Sequence, residues 1–501
     1  MLTIDDIRKE VEAGLQNEQG NLLDAQTNQD YFDGKGFKYL EKRFAEDDRD
    51  FSRRRKRFSM VTYEIITALC RHLYNPGPTR TIEDDAAADE WMQEVWKALD
   101  INTLWHEADV LSTLNDYCAF QVVGTDDPDK PVDVKLWGRE EMAVWTDPEN
   151  AVKPAVVCTI DKYDNQIRYR AWDAENVGTW ITRKFDQGRP SNSSDRYGKG
   201  ARVPEFQGVE PHGYGELPFV FVHACPPVRY FETNGIGTPL RKINTELDAM
   251  LSDIAEAVQF YARPWLLGRN LAAGFRPIVQ AGRVIRLEPD RTVTEIGMAP
   301  PEPSLEPLVI PVDTQALWED LNNQVDHALE NYGVPKAAVR MTQQTTASGA
   351  AIIQEQMPLI ERAKGRRPAF QRYETALAAL ILRISGIWWQ NPALYEVGRK
   401  PTLTLSWPEP QIDVPGQERD ATDQAELEMG ITSRVEILMR RRGLTRDQAE
   451  KALLQYATDE TAFGPLYPPG TPANPTPPDL GMTTNEATQG QPQEASPQAN
   501  G

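Results

Sequence analysis

Residues 239–264 read PLRKINTELDAMLSDIAEAVQFYARP, and residues 313–335 read DTQALWEDLNNQVDHALENYGVP. In the first, Leu240, Ile243, Leu247, Met250, Leu251, Ile254, Val258 and Tyr261 follow one another at steps of three and four. That spacing predicts one long amphipathic helix ending before Pro264. In the second, Leu317, Leu321, Val325, Ala328, Leu329 and Tyr332 share one face, which predicts a helix over 313–332. Between them, GRVIRLEPDRTVTEI and the proline-rich APPEPSLEPLVIP mix strand and turn signals. Two long helices therefore bracket a small β insertion.

Toward the N-terminus, Val61, Ile65, Ile66, Leu69 and Leu73 predict a helix over 60–74, stopped by Asn75-Pro76-Gly77-Pro78. Residues 84–99 and 103–117 supply two more helices. From Ala119 the period changes to two: AFQVVG, DVKLW, MAVWTD, AVVCTID, QIRYRAW and VGTWITRKF predict an antiparallel sheet region closing near ELPFVFVHAC at 216–225. Within it, GRPSNSSDRYGKGARVP at 188–204 carries no apolar pattern and reads as an exposed loop. Toward the C-terminus, 350–389 is helical but contains Pro358 and Pro368, so a kink is expected. A strand follows at 402–407, then a helical pair over 420–456 turning at Arg442 to Thr445, where Thr445 is placed to cap the second helix. The stretch from Gly464 onward is rich in Pro, Gln, Asn and Gly and is expected to be disordered.

A chain of 501 residues exceeds the size of one hydrophobic core, so more than one packed region is expected. With 40% hydrophobic residues, global disorder is ruled out. The formal net charge of −21 argues against gripping nucleic acid over a broad surface, because such proteins cluster Lys and Arg to displace counterions. DNA, if it is a partner, is passed and not clamped. No stretch is long and apolar enough for a membrane helix, and MLTIDDIRKEVEAG carries no signal-peptide core. The four cysteines, Cys70, Cys118, Cys158 and Cys225, lack metal or redox spacing and are expected to be reduced core residues.

Catalytic motifs do not emerge. Gly34-Lys35-Gly36 and Gly198-Lys199-Gly200 are only fragments of a phosphate loop, and His106-Glu107 starts a zinc pattern whose second histidine position holds Val110. Asn234-Gly235-Ile236-Gly237 lacks the third glycine of a dinucleotide site. The expectation is a non-enzyme with no cofactor and no metal. The acidic pairs Asp47-Asp48, Asp84-Asp85 and Asp126-Asp127 read as solvated surface. The basic run Arg53 to Arg57 follows Glu46-Asp47-Asp48-Arg49-Asp50 and reads as a self-neutralising helix or a subunit contact. Arg362, Lys364, Arg366 and Arg367 are expected to pair with a neighbouring acidic subunit. The polar stretch from Val334 to Gly349 carries Lys336, Arg340, Gln343 and Gln344 without an apolar period, and reads either as a flexible connector or as a loop projecting toward a polymeric ligand.

Taken in order, these pieces resemble the portal proteins of tailed double-stranded DNA phages over roughly residues 20–460, with YFDGKG at 31–36, LYNPG at 73–77 and EEMAVWTDPEN at 140–150 as further similar segments. The resemblance implies an α+β, mainly helical portal fold assembled as a ring. Its regions would be an N-terminal helical and β wing over 1–238, a first stem helix over 239–263, a clip over 264–312 and a second stem helix over 313–333. A tunnel loop over 334–349, a kinked wing helix and strand over 350–413, a crown over 414–462 and a disordered tail over 463–501 complete it.

The implied function is a conduit at one capsid vertex for genome packaging and ejection, in a homo-oligomer that is usually a dodecamer, assembled in the host cytoplasm. Implied partners are double-stranded DNA in the channel, the terminase, the major capsid and scaffolding proteins, and head-completion or adaptor proteins. Lys336, Arg340, Gln343 and Gln344 would lie at the tunnel constriction, and Glu246, Asp248 and Asp253 become candidates for tunnel-facing acids. Two alternatives stand beside this reading. One is another virion assembly or connector protein; the other is a carboxylate-based polymer hydrolase, in which some of the twelve tryptophans would line a sugar site.

Overall fold

The computed structural model describes residues 2–43, 46–127, 130–163, 166–183, 204–233, 235–262, 265–271, 287, 302–308, 313–339, 349–408, 423–430, 432–442 and 446–463. Two compact units divide the chain, Met1–Val414 and Pro415–Gly501.

The first unit opens with α1 (Ile4–Glu12), α2 (Gln19–Phe32), α3 (Asp48–Arg53), α4 (Val61–Cys70), β1 (Thr79–Ile82), α5 (Ala86–Ala98) and α6 (Ile101–Asn115). Local chemistry sets the starts of several helices. Thr3 and Asp6 cap α1 reciprocally, and the Asp85 carboxylate accepts the Ala87 and Ala88 amides at the start of α5. Two of the acidic pairs are thus part of the fold and not merely solvated surface: Asp84, beside Asp85, accepts the Thr402 amide, and Asp126 of the other pair accepts the Trp388 indole N–H at 3.2 Å.

The two-residue period from Ala119 yields two antiparallel sheets. Strands β2 (Tyr117–Gly124), β3 (Val132–Gly138) and β9 (Phe219–His223) form one, in the order β3-β2-β9. Strands β4 (Met142–Asp147), β5 (Asn150–Lys162), β6 (Gln166–Trp172), β7 (Asn176–Arg183) and β8 (Glu205–Pro211) form a meander. The stretch 188–203 lies outside the described residues. α1 covers the meander, burying Ile4, Ile7 and Val11 with Cys158 and Trp180. Another core, built on Tyr117, Trp137, Trp172 and Phe231, takes side chains from both sheets.

The bracketed insertion is present as expected. α7 (Gly237–Ala262) leads into β10 (Trp265–Arg269), which pairs antiparallel with β11 (Ser304–Leu308), Leu267 opposite Glu306, before α8 (Thr314–Asn331) returns. Nearly all of the sequence between β10 and β11 lies outside the described residues, as does the Tyr261 side chain. α9 (Lys336–Val339), α10 (Gly349–Trp388), α11 (Pro392–Arg399) and β12 (Leu403–Ser406) follow. β12 pairs with β1, Thr79 opposite Ser406, so the last strand of this unit returns to the strand that follows α4.

α10 is the spine. Its 40 residues stay helical through Pro358 and Pro368, a length of about 60 Å. Phe370, Leu377, Leu380 and Ile381 are buried in the largest core with Trp105 and Phe120. There Tyr74 stacks on Trp105 with ring centroids 5.9 Å apart, and Trp105 meets Phe120 edge-on at 4.7 Å. Truncating Phe370 to alanine at such a site costs about 3–5 kcal/mol.

Several expectations change here. Cys70, Cys118 and Cys158 are buried and free, but Cys225 is exposed; it sits beyond the end of β9, where Pro226 and Pro227 carry the chain off the sheet. Arg366, expected to reach a neighbouring subunit, instead pairs with buried Asp109 of its own chain. Arg54 of the basic run is likewise buried, pairing with Glu46 and Asp253.

The second unit contains α12 (Arg434–Arg442) and α13 (Arg446–Phe463), the expected helical pair. Thr445 and the residues from Gly464 onward lie outside the described set.

Candidate functional site: the helical pair and its connector

Leu240, Leu247 and Ile254 of α7 share a core with Leu321, Val325 and Leu329 of α8 and with Ile65, Ile66 and Leu69 of α4. This apolar stripe is the one the sequence spacing predicts. Toward the β10–β11 end the burial fades: Val258 and Trp318 remain 45% and 46% exposed.

α7 carries a second stripe, and it is polar. Asn244, Asp248 and Ser252 stand four residues apart, all buried, and grip the chain leading into α4. The Asn244 amide oxygen accepts the Thr62 amide at 3.1 Å and its hydroxyl at 3.0 Å. The Asp248 carboxylate accepts the Ser59 amide at 2.7 Å, and the Ser252 hydroxyl accepts the Arg57 amide at 3.0 Å. Burial pushes the Asp248 carboxyl up to about 6. Next along the helix, Asp253 holds the guanidinium groups of Arg43 and Arg54.

The three acidic candidates therefore occupy different settings. Glu246 is exposed, Asp253 carries two arginine partners, and Asp248 points into the fold against the entrance to α4. A carboxylate buried in this way has no face free for a tunnel, so Asp248 is corrected to an anchor of the helix.

Gly333 ends α8 with a φ of +65°, the left-handed conformation glycine adopts without steric cost. Val334 returns its amide to the Leu329 carbonyl at 2.9 Å. Directly after the turn, Lys336 places its ammonium 2.9 Å from Asp326 and 3.4 Å from Glu330, both on the last turns of α8. Hydrogen bonding to these carboxylates raises the Lys336 pKa. Its charge is thus engaged within the chain. Arg340, Gln343 and Gln344 lie outside the described residues.

The roots of the connector are held by two adjacent residues at the end of α4. The Arg71 guanidinium donates to the Ala338 carbonyl at 3.3 Å, and the His72 Nε2 lies 3.0 Å from the Gln356 amide oxygen on α10. Burial pushes the His72 pKa down, so the neutral ring donates through Nε2–H to that oxygen. α4 consequently touches α7 with one end and both connector roots with the other.

α10 is fixed in turn by two buried ion pairs. Arg366 meets Asp109 on α6, whose side chain is 0% exposed, and Arg80 on β1 meets Glu374, with both side chains under 5% exposed. Burial pushes the Asp109 and Glu374 carboxyls up, opposed in each case by the guanidinium. The Tyr74 hydroxyl donates to Glu374 at 3.0 Å and completes the second pair.

Sequence reasoning found the helical pair and missed the clamp. The four-residue spacing of Asn244, Asp248 and Ser252 was available as a signal; their partners at 57 and 59 are backbone groups and leave no mark in residue type. Among the described residues, no group of three or more His, Cys, Asp or Glu is placed to hold a metal ion, and no helix is long and apolar enough to cross a membrane. What the arrangement offers is mechanical: two packed helices, one with four acids and no Lys or Arg over Thr314–Asn331, joined to a connector fixed at both roots.

A family model described as "Phage portal protein, SPP1 Gp6-like" matches residues 15–462. No curated protein matches the chain. Among solved structures, a chain of a particle described as "Neck of empty GTA particle computed with C6 symmetry" aligns with a TM-score of 0.36 and 12% identity, covering 77% of this chain and 90% of that one.

Proposed function

The chain belongs to the phage portal protein family, and on that premise we propose that about twelve copies close into a ring at one capsid vertex and form the conduit through which DNA enters and leaves. The observation that carries this reading is the family match over nearly the whole chain. In this reading α7 and α8 are the stem, 264–312 with the β10–β11 pair is the clip, 334–349 is the tunnel loop, and 414–462 is the crown. The helices and sheets of 1–238, with α10 and β12, make the wing.

Physical chemistry supports the assignment. DNA sliding through a channel meets deep wells wherever many Lys and Arg bind phosphates. α8 presents Glu319, Asp320 and Glu330 on its exposed side with no Lys or Arg, and His327 as its one basic side chain, a surface that repels phosphate and lets it pass. Lys336 is already neutralised by Asp326 and Glu330, so transient contact with DNA falls to Arg340, Gln343 and Gln344. Nothing in the sequence binds a nucleotide in the manner of a phosphate loop, so the pumping energy comes from a separate terminase that docks on the clip. Head-completion or adaptor proteins take its place there after filling, and capsid and scaffolding proteins meet the wing, in a particle assembled in the host cytoplasm.

Native mass spectrometry of the full chain tests the reading. A closed ring of about twelve copies is expected; a chain that stays monomeric at every concentration contradicts it and reopens the hydrolase alternative.

A further inference from the structure

One surface segment combines unusual exposure with fixed roots. Residues 225–230 read CPPVRY and leave β9 as a short projection. At one root the Ala224 amide donates to the Asp116 carbonyl at 2.9 Å, and at the other the Phe231 amide donates to the Ala151 carbonyl at 2.8 Å. Phe231 is 3% exposed and packs edge-on against Phe221 at 4.9 Å. Between these anchors Val228 is 85% exposed and Tyr230 is 69% exposed. Scattered apolar residues on a surface need no explanation. Here they flank Arg229 on a projection whose two prolines restrict the backbone, so little entropy remains to be lost when it is buried.

On the same unit, a few residues along β5 from the Ala151 root, lies a groove of about 930 Å³ between the start of α1 and the edge of the meander, lined by none of these six residues. Phe206, Val209 and Leu217 give it an apolar floor, and its lining holds five carboxylates against two cations. Of the cations, Arg8 is held by Glu12 and lies over the Phe206 ring at 4.1 Å. Of the acids, Asp173 is occupied by backbone amides and Glu216 by Arg383. Lys153 is the second cation, and Asp5, Glu175 and Asp147, which also accepts the Glu149 amide at 3.0 Å, are the remaining acids, so the lining keeps a net negative charge.

A projection that is apolar with one positive charge and a groove that is apolar with a negative rim are complementary in both respects. We propose that the 225–230 segment of one copy seats in this groove of the neighbouring copy. Val228 and Tyr230 cover the apolar floor and Arg229 meets the acidic rim at Glu175. Such a contact joins two different patches of identical chains; repeated head to tail, it generates a closed ring when the rotation between copies closes. The proposal rests on the ring reading above and assigns residues to its lateral contact.

Cys225 supplies a native probe. The other three cysteines are buried, and burial pushes their thiols up, Cys70 to about 12. In the folded chain iodoacetamide therefore reports on Cys225. Assembly is followed by native mass spectrometry across a concentration series, and Cys225 alkylation is measured on separated monomers and rings. The expected result is about tenfold slower alkylation in rings. Arg229→Glu is expected to raise the concentration needed for assembly by about tenfold or more, and adding Glu175→Lys to restore it. Both positions are exposed, so the variants keep the wild-type melting curve; Val228→Asp with Tyr230→Asp repeats the test on the apolar half.

Rings of Arg229→Glu forming at wild-type concentration, or Cys225 equally reactive in rings and monomers, overturn the contact while leaving the ring intact. The same holds if Cys225 is protected only when a different virion protein is added. A wild-type chain that never assembles overturns the ring reading and this contact together.

Discussion

Asp109, fully buried on α6, holds its carboxylate against the Arg366 guanidinium on α10, so the long spine helix is pinned to the N-terminal helices by one interior ion pair. Removing one partner leaves an uncompensated buried charge. Arg366→Ala is expected to lower the unfolding free energy of the monomeric chain by about 3–5 kcal/mol, measured in urea, whereas Asp109→Leu with Arg366→Met recovers most of the loss. Equal stability of the single and double variants would remove the pair from the account.

Asp248 gives a pH signature with a definite sign. Its folded pKa lies near 6 against an ordinary 3.8, and burial is the main cause. Between those values the folded chain binds more protons than the unfolded one, so this carboxyl makes stability fall as pH rises through the window of roughly 4 to 6. Above that window it sets a constant cost of up to about 3 kcal/mol, from the relation of 1.36 kcal/mol per pKa unit. Asp248→Asn keeps an acceptor for the Ser59 amide and loses the titration. The difference in stability between wild type and variant is expected to be larger at pH 7 than at pH 4; an identical difference at both pH values contradicts the assignment.

The α4 clamp is tested by hydrogen exchange. Arg71→Ala together with His72→Ala is expected to speed amide exchange in both 336–339 and the start of α10, because each root loses its partner. Acceleration confined to one root breaks the claim that α4 holds both. Lys336→Ala, by contrast, removes a half-exposed bridge and is expected to change global stability by less than about 1 kcal/mol.

The helical hairpin, the strand-rich region, the closing strand at 402–407 and the paired C-terminal helices are legible in the sequence because each rests on a local period or a proline. What the sequence hides is long-range. Arg80 finds Glu374, and Arg366 finds Asp109, only once α10 is laid between β1 and α6, so a cationic cluster that looks like an intersubunit surface turns inward. Asp248 reads as one more acid on an amphipathic helix because its partner is a backbone amide. Cys225 resembles its three buried counterparts in sequence context until the chain leaves β9 at Pro226. Arg54 was legible in half: the acidic stretch before it predicts self-neutralisation through Glu46, while Asp253 could not be foreseen.

Gly237 marks the place where α7 meets the end of α6. A Cβ there would stand 2.2 Å from the Leu114 carbonyl and 2.9 Å from the Asn28 amide nitrogen. Gly237→Ala is expected to cost about 1–3 kcal/mol through backbone displacement, read as a lowered urea midpoint with an unchanged slope. A neutral result means that the start of α7 can shift freely, contrary to a rigid seating against Leu114 and Asn28.

The central claim is that α7, α8 and the connector surround a channel. A cryo-electron-microscopy map of the assembled full-length chain tests it most directly. The account predicts a closed ring of about twelve copies with the α7–α8 hairpins around a central opening, Glu319 and Glu330 on the channel side, and residues 334–349 at its narrowest point. A closed ring in which these helices lie on the outer circumference, or in which 334–349 faces away from the opening, would contradict it.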